Sequence, residues 1–197
     1  MSRTTIIVLV ALGAALAGFA FSSTSNQGDD EGAAEAASVA AGPQRAVLGW
    51  RETYGPAGEQ LVFSVESLQV LPRGWQAHVS LENGTSISYE IVADPSRVRD
   101  RSFGLMLFAT GDPDSLAKLN EGGALPAVRP AESYEPILPR ILEPGDTWTG
   151  TISASGALVA DSWARVVFGA LISVGEAPAE LGEQIVWITD NAYKLHR

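Results

Sequence analysis

From Ala46 onward the apolar side chains of this 197-residue chain fall on every second position, in short runs broken by glycine, proline and asparagine. Period two is the spacing of one face of a β-strand, whereas an amphipathic helix needs an apolar residue every three to four positions. Strands patterned this way pair into sheets, and sheets with one apolar face stack to hide it. Trp75, Ala77, Val79 and Leu81 alternate with Gln76, His78, Ser80 and Glu82; beyond Asn83-Gly84, Ile87, Tyr89 and Ile91 alternate with Ser86, Ser88 and Glu90. The two runs read as a hairpin, Asn-Gly supplying the positive φ angles of its turn. Further strands are predicted over residues 47–53, 60–70, 102–110, 147–153, 162–174 and 184–189. Within 60–70 the parity changes, with Leu61, Phe63 and Val65 on one face and Leu68 and Val70 on the other. That change calls for a bulge or a bend near Glu66-Ser67.

One helix interrupts the pattern. In residues 111–123, Asp112 suits the N-cap, Pro113 the first helical position and Gly122 the residue after the last turn. Leu116 and Leu119, three apart, would dock it on a sheet. Residues 126–144 hold five prolines and cannot form a central strand, so they are predicted to be an extended crossover between sheets. In LEPGDTWTGTIS, residues 142–153, Pro144-Gly145 makes the turn, Trp148, Gly150 and Ile152 face inward, and Thr147, Thr149 and Thr151 face out. The expected fold of residues 46–197 is all-β, an antiparallel β-sandwich with one short helix.

The N-terminal part is of another kind. Ile6 to Phe21 is sixteen residues without a charge, preceded by Arg3. As a helix it would span about 24 Å at roughly 1.5 Å per residue, and the uncharged Thr4, Thr5 and Ser22 to Thr24 extend it toward the roughly 30 Å of a hydrocarbon core. Residues 1–21 are therefore either a secretory signal peptide, with Ala15-Leu16-Ala17 as its cleavage site, or an uncleaved N-terminal membrane anchor. Residues 22–45 are small, polar and acidic, with one large aliphatic, Val39; they read as a disordered acidic linker. Both readings carry the remainder across a membrane.

Charge and cysteine content exclude whole classes of chemistry. Residues 46–197 carry a formal charge of −8 within a total of −10, so phosphate backbones are repelled and nucleic acid is not an expected partner. The chain has no cysteine, hence no disulfide, no lipidated cysteine and no thiolate chemistry.

The strings ILEPGDTWTGTI and GWQAHVSLENGTSISYEI resemble the uncharacterised immunoglobulin-like domains that bacteria display outside the membrane. The resemblance runs over roughly residues 46 to 195, and its motifs encode β geometry rather than a site. It implies an immunoglobulin-like fold and an extracytoplasmic address, and no enzyme activity. Many such domains follow a lipidated cysteine, which this chain lacks.

Candidates for chemistry are few. His78 lies mid-strand and His196 one residue from the end, which disfavours a serine–histidine–aspartate arrangement, and there is no Gly-x-Ser-x-Gly turn. Asp112 and Asp114 resemble the start of a calcium loop, and Glu143 and Asp146 flank a turn, but the remaining ligands of such a loop are missing. Asn83-Gly-Thr85 matches a glycosylation acceptor, though its turn role suffices, and Arg97, Arg99 and Arg101 form a basic spot that reads as a solvated loop. Trp75 and Trp148 share parity with aliphatic neighbours and belong to the core. In SWARVVFGALI, Ala164, Val166, Phe168 and Ala170 take one face, leaving Trp163, Arg165 and Val167 on the other. Trp163, Arg165 and Trp187 are the candidate ligand-binding residues, if their rings are exposed for sugar stacking. The expected function is an extracytoplasmic binding or structural module of the cell envelope. Its partner would be an envelope protein or a glycan, and the N-terminal helix would hold it to the membrane if uncleaved. No cofactor, no metal and no catalysis are expected; the alternative is a small-ligand or glycan-binding domain using exposed tryptophans.

Overall fold

The structure is a computed structural model and describes residues 39–93 and 102–197. The proposed signal or anchor, most of the linker and the three clustered arginines lie outside the described residues. Twelve strands and one helix occur among those described. The first three strands are β1 (Gln44–Tyr54), β2 (Gln60–Leu71) and β3 (Gly74–Gly84), followed by β4 (Tyr89–Val92) and β5 (Gly104–Phe108). Helix α1 (Pro113–Glu121) comes next, then the short β6 (Arg129–Pro130), β7 (Ser133–Glu135) and β8 (Ile141–Leu142). The chain ends with β9 (Thr147–Ser155), β10 (Trp163–Ser173), β11 (Gln184–Ile188) and β12 (Tyr193–Lys194).

They form two antiparallel sheets. The five-stranded sheet runs β1-β2-β3-β9-β7. In the seven-stranded sheet β10 is central: β5 and β4 share one of its edges, β11 and β12 the other, and β6 and β8 flank β5 and β4. The apolar faces meet between the sheets, where the Phe63 ring of β2 stacks on Trp187 of β11 at 5.1 Å and leans on Phe168 of β10 at 5.1 Å. Burying aromatic and aliphatic groups of this size stabilises the fold by roughly 1.5–3 kcal/mol per side chain.

Most of the period-two reading appears as strands. β3 alternates buried and half-buried residues along nearly its whole length, and β9 turns Trp148, Gly150 and Ile152 inward. The parity change in β2 is a bulge: Val65 faces Val79, Ser67 faces His78, and Glu66 is the extra residue. The helix caps as expected, with Asp112 Oδ1 accepting from Asp114 N at 3.1 Å and Gly122 following the last turn. Asp146 serves its turn in the same way, accepting from Glu143 N at 3.1 Å.

Three expectations are corrected. First, residues 39–45 belong to the folded body and not to the linker: Ala40 bridges Val159, Ala41 is buried and β1 opens at Gln44. Second, the Asn83-Gly84 hairpin does not form. Both edges of β3 are already occupied, by β2 and β9, so the chain crosses to the other sheet and β4 pairs with β10 and β8. The crossing is fixed by the fully buried Asn83, whose Nδ2 donates to Ile87 O at 2.8 Å and Leu142 O at 3.0 Å while Oδ1 accepts from Thr85 Oγ1 at 2.7 Å. An amide engaged and buried in this way is closed to glycan attachment. Third, the proline-rich crossover changes sides more than once, touching the larger sheet as β6, the smaller as β7 and the larger again as β8.

The parity assigned to β10 holds for Ala164, Val166 and Phe168, which face the other sheet, and fails at Ala170. A register irregularity against β11 between Phe168 and Leu171 puts Leu171 inward and Ala170 outward.

Candidate functional site

The three residues singled out from sequence do not form an exposed groove. Trp187 is buried in the inter-sheet core, and its Nε1 donates to Glu52 Oε2 at 2.8 Å. Arg165 is fully buried on the outer side of the larger sheet, its guanidinium 5.3 Å from the Phe108 ring centroid. Its nitrogens donate to three main-chain carbonyls, Thr189 O at 2.7 Å, Gly111 O at 3.0 Å and Asp190 O. Trp163 is half-buried against Gly111, where an added Cβ would stand 2.4 Å from the indole ring. Only a glycine lets the chain approach the ring that closely.

Trp187 and, through Asp190, Arg165 are joined by a residue that sequence reading passed over. Glu52 of β1 reaches across to the segment after β11 and accepts from Asp190 N at 3.0 Å, Asn191 N at 3.1 Å and Asn191 Nδ2 at 2.8 Å, besides Trp187. A signal was present: Glu52 shares parity with Trp50 and Tyr54, so a carboxylate stands where the pattern asks for an apolar group. Burial lowers the Arg165 pKa from its ordinary value, and the nearby Asp190, Glu52 and Asp112 oppose that shift, keeping the guanidinium charged. The network ties the two sheets together and engages most of its donors and acceptors in doing so, Arg165 Nε standing buried outside hydrogen-bonding geometry.

The outer faces differ. That of the larger sheet is covered by α1 and the segment after it, with Leu116 and Val128 packed on Met106, Phe108, Val167 and Ile188. That of the five-stranded sheet is open and mostly polar. Its cross-strand rows follow from register: Arg45, Gln69, Gln76 and Ser153; then Val47, Ser67, His78 and Thr151; then Arg51, Ser64, Ser80 and Thr149.

Two concavities bear on function. A groove of about 720 Å³ lies where the covering loop meets the larger sheet, between Phe108, Pro126, Val128 and Val159. Its polar groups are engaged internally: Arg129 with Ala157 O at 3.0 Å, Ser162 with Val159 O at 2.6 Å and Asp161 with Arg197 at 3.1 Å. A smaller dish of about 250 Å³ lies on the open face at the Glu66 bulge, between Arg45, Glu66, Gln76 and His78. His78 Nε2 stands 3.6 Å from Glu66 Oε2, and His78 Nδ1 3.4 Å from Thr151 Oγ1. Among the described residues no group of three or more histidines, aspartates and glutamates is placed to hold a metal ion.

The sequence matches no family model, and no curated protein or solved structure shows significant similarity to it.

Proposed function

We propose that the chain is an extracytoplasmic binding or structural module of the cell envelope, an immunoglobulin-like β-sandwich that is tethered to a membrane by residues 1–21 if they stay uncleaved and secreted if they are removed, and that engages an envelope protein through the open face of its five-stranded sheet. The observation that carries this reading is the asymmetry of the two outer faces. One sheet hides both faces, whereas the other leaves an ordered array of hydroxyls, amides and a few charges in solvent. Hidden sheet faces serve packing; an open polar face without a large apolar patch suits reversible recognition. The groups best suited to demanding chemistry, Arg165, Glu52 and Trp187, are held in structural bonds. The sixteen uncharged residues from Ile6 to Phe21 support the address. No helix among the described residues is long and apolar enough to cross a membrane.

Because the chain has no cysteine, Ser80→Cys gives a single handle in the middle of the open face. Labelling of intact cells with a membrane-impermeant maleimide is expected to mark that variant, and a photocrosslinker placed at Ser80 is expected to trap an envelope protein that the same group at Lys118 of α1 does not. Labelling only after lysis would refute the address; equal trapping from both positions would refute the face.

A further inference from the structure

Going beyond that reading, we infer that the dish at the Glu66 bulge is a binding site for a single carboxylate-bearing sugar unit, a uronic acid by class. The backbone makes the dish. Two irregularities face each other in neighbouring strands, Glu66 in β2 and Leu48-Gly49 in β1, while β3 runs on without interruption. Gly49 takes a φ of +60°, which a residue with a Cβ adopts only under strain. Such bulges interrupt the hydrogen-bond ladder and re-aim side chains. Here Glu66 is left exposed beside the half-buried Ser67.

The side chains define the ligand. Gln76 Nε2 donates to Gln69 Oε1 at 2.9 Å, which orients both amides and leaves the Gln69 NH₂ and the Gln76 carbonyl as donor and acceptor. Ser67, His78 and Thr151 add further groups of both kinds, and no apolar side chain lines the dish. A wall of this composition suits a ring bearing several hydroxyls, whereas an aliphatic or aromatic amino acid needs an apolar wall for its side chain. Glu66, whose Oε2 faces His78 Nε2 at 3.6 Å, keeps its second oxygen as an acceptor for hydroxyl donors. The exposed Arg45 takes part in none of the ion pairs among the described residues, so its planar fork of donors is available to one carboxylate on the ligand. A volume of about 250 Å³ admits one such ring. Without an aromatic platform in the dish, affinity in the region of 1 mM is expected.

The test is ligand-observed NMR and calorimetry on the purified full chain, with glucuronate and glucose as probes, alongside Arg45→Gln, Glu66→Gln and the off-site control Lys118→Ala on α1. Wild type and Lys118→Ala are expected to bind glucuronate about tenfold more tightly than glucose. Arg45→Gln should erase that preference, and Glu66→Gln should weaken both sugars, with all variants melting like wild type. The inference is overturned if neither sugar binds, if the two bind equally to wild type, or if Arg45→Gln leaves the preference intact. Binding measured on the purified chain is independent of cellular address, so this result and the labelling result fail separately.

Discussion

β3 and β10 are the central strands of the two sheets, equal in length and each paired on both edges, yet they meet solvent differently. β3 alternates, with Trp75, Ala77, Val79 and Leu81 inward and Gln76, His78 and Ser80 outward; β10 is buried on both faces from Ala164 to Leu171. The difference lies in what is laid over the outer surface. Helix α1 and Val128 give β10 a second apolar layer, and that layer encloses a cation, Arg165, which exposure of β10 would have left in water. A sheet with one open face needs only alternation, whereas a sheet with two covered faces must also find partners for most of the polar groups it traps.

The sharpest way to break this contrast is at the enclosed cation. Arg165→Leu leaves the carbonyls of Gly111, Thr189 and Asp190 without that donor and should cost about 3 kcal/mol or more, read as a lower midpoint in urea denaturation. Next in size is Leu116→Ala, which opens a cavity in the outer layer only; a loss of about 2–3 kcal/mol is expected.

Alkaline titration probes the layer between the sheets. Burial pushes the Tyr89 and Tyr134 phenols from 10.0 up to about 12, Tyr89 lying near Thr85 but outside hydrogen-bonding geometry. Their contribution to stability is complete below pH 10 and falls as the pH rises toward 12, because the unfolded chain releases phenol protons that the folded chain retains. The unfolding midpoint should therefore drop across that interval, and phenolate absorbance should rise together with unfolding. The smallest effect belongs to the open face, where Ser80→Ala should change stability by no more than about 0.5 kcal/mol. A loss on the scale of Leu116→Ala would show that this face is not open in solution.

The two central strands also show why some features could be read in advance. Alternation in β3, the bulge at Glu66 and the Asp112 cap were legible because each depends on neighbours within a few positions. The destinations of strands were not. Ile87, Tyr89 and Ile91 carry a strand pattern that fits either sheet, and with both β3 edges taken by β2 and β9 the pairing of this segment is with β10. Trp187 and Arg165 carried the right chemistry for a binding site, and tertiary packing put one in the core and the other under a helix. The dish at the bulge was half legible: the sequence placed the bulge, but the row of Arg45, Gln69 and Gln76 exists only through the pairing of three strands.

By itself, then, the sequence determined what each segment would become and which of its sides avoids water, since those follow from the spacing of apolar groups along the chain. Tertiary structure alone decided which strands became neighbours and which sheet face stayed open. Those outcomes depend on contacts between residues far apart in sequence, such as Glu52 with Asn191 and Asn83 with Leu142, and no local pattern encodes them.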